Sequence, residues 1–166
     1  MILDLKPVFI NEGEIRKLET EFDFSEVDVF GIHPLQQPVR VHGVVENRAG
    51  VVTLSATCEA VYDAPCDRCG IPAKEPVRVE IFRTLVSHLE NDENEEFLLL
   101  PDMQLDLRAL CYTEVVLRLP TKHLCREDCK GLCSRCGADL NQGDCGCPKT
   151  EIDPRLEALK SLLDTQ

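Results

Sequence analysis

Cysteine is the residue type in this chain best placed to do chemistry, because six of the ten cysteines lie within residues 124–147. This segment is rich in glycine and turn-forming residues, so it cannot bury an apolar core of its own and needs a covalent or metal cross-link. Cys133 and Cys136 are separated by two residues and followed by Gly137, which is the form of a zinc knuckle. The glycine matters because the backbone must turn its amides toward the sulfurs, and that often requires a positive φ.

A tetrahedral zinc site needs two more thiolates than the knuckle supplies. Two other pairs in the segment could provide them, either Cys145 with Cys147 or Cys125 with Cys129. Because thiols stay reduced in the cytoplasm, clustered cysteines there favour metal over disulfides. An all-thiolate site is normally closed to substrate, and the one histidine near the segment is His123, directly before it, so we expect a structural and not a catalytic zinc.

A further pair, Cys66 and Cys69 in the sequence CDRCG, is open to three interpretations. It could bind metal, form a structural turn of ordinary thiols, or act as a redox dithiol. Redox activity would require the N-terminus of a following helix to lower the thiol pKa, but the next residues predict a strand. With this pair the chain has eight candidate ligands. One zinc ion is expected, and a second ion that joins the CDRCG loop to Cys125 and Cys129 is the alternative.

The elements that position these thiols follow from hydrophobic periodicity. Val39, Val41 and Val45 follow a two-residue spacing, and apolar residues recur at every second position from Val52 to Tyr62 after the turn at Gly50, which predicts a long hairpin. A third strand is predicted over 77–86. Asp106 is the expected N-cap of a helix that Pro120 ends, and this helix should cover the buried face of the sheet.

The remaining local predictions are simpler. Residues 1–9 are interpreted as an edge strand broken by Pro7, and residues 12–28 as a short helical turn followed by an irregular or strand segment. The acidic run at 90–96 is expected to be a solvated loop. Cys58 and Cys111 lie on apolar faces of a strand and a helix, so we expect them to be buried core residues.

These elements predict an α+β fold. An antiparallel sheet is built on the long hairpin plus a third strand, packed by one helix, and followed by a C-terminal Cys-rich zinc module and a short terminal helix. The predicted divisions are an acidic body over 1–119, the zinc module over 120–150, and the terminal helix over 151–166. Asp153 and Pro154 have the types expected at the start of that helix.

The charge is distributed unevenly between these parts. The chain carries −12, and residues 1–119 hold 11 basic against 22 acidic residues, whereas residues 120–150 hold five against four. An acidic body argues against unaided binding to nucleic acid and fits a basic protein partner. No run approaches the roughly 20 apolar residues that span a bilayer, and no basic-then-apolar segment opens the chain, so we expect a cytoplasmic protein without membrane contact.

Several motifs together resemble the YceD family, also called the large ribosomal RNA subunit accumulation proteins. They are the CxRC loop at Cys66, the helix with Asp106-Leu107 and Glu114, the segment LCREDCKGLCSRCGADLN, and the ending DPRLEALKSLL. The resemblance covers the chain from about Val51 onward. Because members of the family differ in whether they carry the cysteine cluster, it implies that the metal stabilises the fold.

The resemblance also implies a role in making or accumulating large-subunit ribosomal RNA in bacteria and plastids. The gene commonly lies beside that of a small basic large-subunit ribosomal protein, and together with the acidic body this favours contact with a ribosomal protein or assembly factor, with rRNA involved only indirectly. No catalytic residues and no small-molecule substrate are expected. Two alternatives stay open. A thiol oxidoreductase is one, and direct RNA binding by the zinc module is the other, through Lys122, Arg126, Lys130, Arg135 and Lys149.

Overall fold

The computed structural model describes residues 1–29, 31–88 and 97–148, and most of the regular structure in these ranges is strand. The expectation of an α+β chain that consists mainly of sheet is confirmed at that level. In chain order the elements are β1 (Ile2–Asp4), α1 (Lys6–Ile10), β2 (Ile15–Phe22), β3 (Val39–Arg48), β4 (Val51–Pro65), β5 (Pro72–Val86), β6 (Phe97–Leu99), β7 (Gln104–Asp106) and α2 (Leu107–Arg118).

Five strands form one sheet in the order β2-β3-β4-β5-β6. The first three pairings are antiparallel, but β6 runs parallel to β5, which the expected antiparallel sheet did not include. β1 and β7 form a separate antiparallel pair. Because β4 and β5 are each 15 residues long, their far ends extend to the CDRCG loop and carry it away from the hairpin end of the sheet.

The core lies between one face of the sheet and the helices. Along β4 every second residue from Val52 to Ala64 is buried, as the two-residue period predicts. Helix α2 begins at its N-cap Asp106, whose side chain accepts from the amides of Arg108 and Ala109, and both this start and the end before Pro120 are as predicted. Cys58 and Cys111 are each 0% exposed, so the prediction that they are core residues is confirmed.

Two predictions for the N-terminal segment were wrong in part, although each contains a strand as predicted. Residues 1–9 form the short strand β1 followed by helix α1, because Pro7 stands in the first turn, where a missing N–H costs nothing. Residues 15–22 form β2 over their full length without a helical turn. α1 also buries Val8 in the core, so the single packing helix that was expected has a second, shorter companion.

The turn between β3 and β4 holds a residue under backbone strain. Ala49 and Gly50 both have positive φ, 52° and 82°, as a two-residue turn of type I′ requires. The buried Asn47 supports the turn, since its Oδ1 accepts from the amide of Gly50 and its Nδ2 donates to Val8 O at 2.8 Å. The hairpin is thereby fastened to α1.

The acidic run at 90–96 and the terminal helix predicted over 151–166 lie outside the described residues. The division into body, zinc module and terminal helix therefore stays a prediction. In the part of the chain that the structure describes, no helix is long and apolar enough to cross a membrane.

Candidate metal centres

Two turns of the same sequence form, CxRCG, each present a pair of thiols. In the first, the amide of Gly70 donates to Cys66 O at 2.8 Å, and in the second the amide of Gly137 donates to Cys133 O at 2.9 Å. The glycines have nearly equal positive φ, 72° and 73°. The positive φ predicted for the glycine of the knuckle is confirmed, and the CDRCG loop repeats the same geometry.

The first turn meets two cysteines that are distant in sequence. Sγ of Cys66 lies 3.8 Å from Sγ of Cys129, and Sγ of Cys69 lies 3.7 Å from Sγ of Cys125. All four sulfurs lie within 4.8 Å of one another, and we call these residues the first cysteine group. Four sulfurs at a Zn–S distance of about 2.3 Å form a tetrahedron with edges of about 3.8 Å. The spacing of the first cysteine group therefore suits a metal ion at its centre.

The first cysteine group joins the end of the long sheet to residues 121–130. Three of its four members are buried, and Cys129 is 0% exposed. Two hydrogen bonds support the junction, since the amide of Asp67 donates to the backbone oxygen of His123 and the amide of His123 donates to the side-chain Oδ2 of Asp67. Cysteine sulfurs enclosed in this way must either keep their protons or, as thiolates, share their negative charge with a cation.

His123 stands apart from the thiols. It is 2% exposed, with Nε2 3.1 Å from Ala73 O and Nδ1 3.2 Å from Glu75 Oε2. Its ring also contacts Tyr62 edge to face, with centroids 4.9 Å apart. The one histidine of the Cys-rich segment therefore ties that segment to β4 and β5 and belongs to neither cysteine group.

The second turn closes on its own neighbours. Cys133, Cys136, Cys145 and Cys147 have sulfurs within 4.8 Å of one another, and we call them the second cysteine group. None of the four is buried, and Cys136 is exposed. This group spans only a short stretch of chain, so a metal here would organise a local loop and would not join distant elements.

The two cysteine groups are linked through Asn141. Its Nδ2 donates to Cys129 Sγ at 3.5 Å, and its Oδ1 accepts from the amide of Lys130 at 2.8 Å. Nearby, Gly131 lies against the CDRCG loop, where a Cβ would stand 2.9 Å from Arg68 O. The second loop is thus packed directly on the first, and its Asn141 contacts a sulfur of the first cysteine group.

Hydrogen bonding and burial give the thiols within each group different pKa values. A backbone hydrogen bond from Cys125 is the main cause that lowers the pKa of Cys66 to about 6, and backbone hydrogen bonds from Cys136 and then Arg135 lower the pKa of Cys133 to about 6. Burial, followed by hydrogen bonds to neighbouring thiols, raises the pKa of Cys125 to about 12. The hydrogen bonds that the Cys147 thiol donates to Cys136 and then to Cys145 raise the pKa of Cys147 to about 12. Each group thus holds one readily ionised thiol beside another that resists ionisation, which is what crowded sulfurs do until a cation shares their charge.

The structure shows which of the candidate thiols lie close together. It brings Cys145 and Cys147 to the knuckle at Cys133 and Cys136, and it gathers the other four candidate thiols into the first group. Either group could hold a metal ion. A redox role for the CDRCG pair has no support from a helix, because β5 begins at Pro72 directly after the turn. The role of Asn141 was missed, since an asparagine in a glycine-rich loop gives no signal in the sequence.

Comparison with known proteins gives consistent results. A model of the family described as large ribosomal RNA subunit accumulation protein YceD matches residues 54–163. An uncharacterized protein of Mycobacterium tuberculosis is 33% identical over 133 residues, covering 78% of this chain and 62% of that protein. YlbN of Bacillus subtilis is 27% identical over 131 residues, covering 76% of this chain and 74% of its own length.

A plant relative has a descriptive name. The chloroplastic large ribosomal RNA subunit accumulation protein YCED homolog 1 of Arabidopsis thaliana is 24% identical over 164 residues, covering 78% of this chain and 50% of its own length. No solved structure was found that matches the chain significantly. The family model covers both knuckles and both cysteine groups. The resemblance seen in the motifs is confirmed, and the chain belongs to the YceD family.

Proposed function

We propose that this chain is a non-enzymatic factor that supports the synthesis, processing or accumulation of large-subunit rRNA in the cytoplasm. Membership of a family named for accumulation of that RNA carries the proposal. The mode of action we propose is contact between the acidic body and a basic ribosomal protein or assembly factor, so that rRNA is affected indirectly. The charge supports this mode, because residues 1–119 carry twice as many acidic as basic residues.

We assign zinc to both cysteine groups as a structural ion. Sulfur-only sets of four favour zinc among the common cytoplasmic metals, and closed tetrahedral sites of this kind hold folds together. The ligands would be Cys66, Cys69, Cys125 and Cys129 for one ion, and Cys133, Cys136, Cys145 and Cys147 for the other. The first ion would fasten the Cys-rich segment to the sheet, and the second would shape the loop that carries Asn141. Four thiolates would fill all four positions of a tetrahedral ion at either site, which supports a structural role and not a catalytic one.

Direct binding of precursor rRNA by the zinc module is the second candidate. Basic side chains on the module favour it, but one of them, Arg126, is already bound to neighbouring side chains of the module. Arg126 contacts Asn141 Oδ1 at 2.8 Å and Asp128 Oδ1 at 3.3 Å. Lys149 lies outside the described residues. Protein contact is therefore the better supported mode.

Depletion of the protein from cells tests the proposed function. We expect large-subunit rRNA to fall relative to small-subunit rRNA, and we expect a chain with intact cysteine groups to restore the ratio. A Cys111→Ala variant, altered in the core away from both groups, is the matched control and should also restore it. An unchanged ratio on depletion would contradict the proposal.

A further inference from the structure

β2 is an edge strand whose outer side carries no partner in the ranges that the structure describes. It pairs with β3 along all eight residues, from Ile15 opposite Glu46 to Phe22 opposite Val39. Beyond that ladder, none of the recorded backbone hydrogen bonds among the described residues involves positions 15–22. Every second N–H and C=O of β2 therefore points outward, ready to pair with another extended chain.

The strand is held in one register, and neither proline nor a very short length protects its edge. Leu18 and Phe22 are buried and fix which side chains face the core, so the outward backbone groups are fixed too. β2 contains no proline and is longer than the very short strands that protect many sheet edges. Its remaining protection is charge, which repels some partners and attracts others.

That charge is acidic around the edge. Residues 12–28, with β2 at their centre, hold seven acidic and two basic residues and carry −5. Glu19 and Glu21 are exposed on the outer face of β2. A second copy of this chain would bring two such segments together, and nucleic acid would bring phosphates against the same carboxylates.

A groove of about 560 Å³ lies beside these side chains on the outer face of the sheet. Three carboxylates line it, from Glu19, Glu21 and Glu59, together with the guanidinium of Arg40. Arg40 is bonded to Glu21 at 3.2 Å, so its charge is largely balanced within the groove. The groove therefore keeps a net negative charge within reach of a side chain carried by a strand added next to β2.

We propose that the outer edge of β2 binds an extended basic segment of the partner protein by strand addition. The partner's backbone pairs with the outward N–H and C=O groups of β2, and its Lys or Arg side chains face Glu19 and the groove. This inference rests on the proposed function, since it locates the surface by which the acidic body meets its basic partner.

A synthetic peptide of alternating lysine and valine, about ten residues long, is a direct probe. We expect it to bind the zinc-loaded chain and to slow hydrogen exchange of the amides of residues 15–22. The same peptide with N-methylated backbone amides keeps its charge but cannot complete the ladder, so it should bind at least about tenfold more weakly. Glu19→Lys should weaken binding of the unmodified peptide about fivefold to tenfold.

Asp102→Lys is the matched control, because it makes the same charge change at an exposed position in the turn before β7. We expect it to alter binding less than about twofold. Equal binding of the two peptides, protection outside residues 15–22, no binding at all, or equal effects of the two substitutions would each overturn the inference.

Failure of this inference is distinguishable from failure of the proposed function. Purified large-subunit ribosomal proteins that bind wild type and Glu19→Lys equally well would remove the β2 edge as the surface and leave the function standing. Preferential binding of single-stranded RNA, or a dimer of the chain that Glu19→Lys abolishes, would also overturn strand addition by a basic protein.

Discussion

Loss of one thiol from each cysteine group should have unequal consequences. Cys66→Ser should remove one zinc ion and lower the stability of the whole chain, whereas Cys133→Ser should remove the other ion with a smaller and more local loss. The reason is the length of chain that each ion closes. The first group joins Cys69 to Cys125, 56 positions apart, and the second group joins neighbours within one loop.

The magnitudes follow from the entropy of loop closure. A cross-link over 56 positions stabilises the folded chain by about 4 kcal/mol, whereas one over on the order of ten residues contributes about 3 kcal/mol. For a chain of this size a loss of about 4 kcal/mol lowers the melting temperature by roughly 8–16 °C. Burial adds to the difference, because in Cys66→Ser the remaining thiols Cys69 and Cys129, which are 6% and 0% exposed, would be left enclosed without their cation.

Zinc content by mass spectrometry and thermal unfolding by circular dichroism test this together. Wild type should hold two ions and each serine variant one, and Cys111→Ala should keep both ions. The melting temperature should fall more for Cys66→Ser than for Cys133→Ser. Two ions retained in Cys66→Ser, or a larger fall in Cys133→Ser, would refute the assignment of one ion to each group.

Other predictions concern the junction, the turn, the core and the metal. Gly131→Ala should lower the free energy of unfolding by about 2 kcal/mol or more and speed the loss of zinc to a chelator, because the φ of residue 131 is 76° and an added Cβ would meet Arg68 O. Gly31→Ala is the control that should keep its zinc, since Gly31 has a similar φ but open space around it. Ala49→Asn should raise the free energy of unfolding by about 1 kcal/mol in urea titrations, since asparagine tolerates the positive φ better, and a destabilised variant would contradict the turn geometry. Glu114→Ala should cost about 1–2 kcal/mol in the same assay, because it removes the ion pair that joins α2 to the sheet, and no loss would show that the pair is not needed. Zinc binding at pH 7.5 should release at least two protons per ion, because each group holds two thiols with raised pKa. Zinc affinity should then rise with pH. Calorimetry in buffers of different ionisation enthalpy measures the number of protons released, and fewer than two per ion would contradict the prediction.

Local patterns predicted the parts of the fold that local physics decides. The alternation along β4 and the cap at Asp106 each depend on neighbours a few positions away, so the strand and helix could be read directly. The edge strand predicted over residues 1–9 was wrong at Pro7, because proline suits a helix start as well as a strand edge. A five-residue helix is also too short to show a period. The parallel pairing of β6 with β5 left no local signal, because β6 is only three residues long and too short to show a period.

In the candidate metal centres, too, features set by neighbouring residues could be predicted and features set by distant contacts could not. The turn at Gly137 was predictable because C-x-x-C-G is a local geometry. The division of eight thiols into two groups was not, because the approach of Cys69 to Cys125 is set by the long sheet that carries the first loop to its partner. Asn141 could not be recognised for a similar reason, since its contact with Cys129 exists only once both loops are folded.

We propose above that the acidic body acts by binding a basic protein of the large subunit. The most direct measurement is the affinity of the purified, zinc-loaded chain for purified large-subunit ribosomal proteins and for precursor rRNA, each over a series of salt concentrations. We expect that at least one basic ribosomal protein binds, that its affinity falls as salt rises, and that it binds more tightly than RNA does. No protein binding at low salt, affinity that is insensitive to salt, or tighter binding to RNA would contradict it.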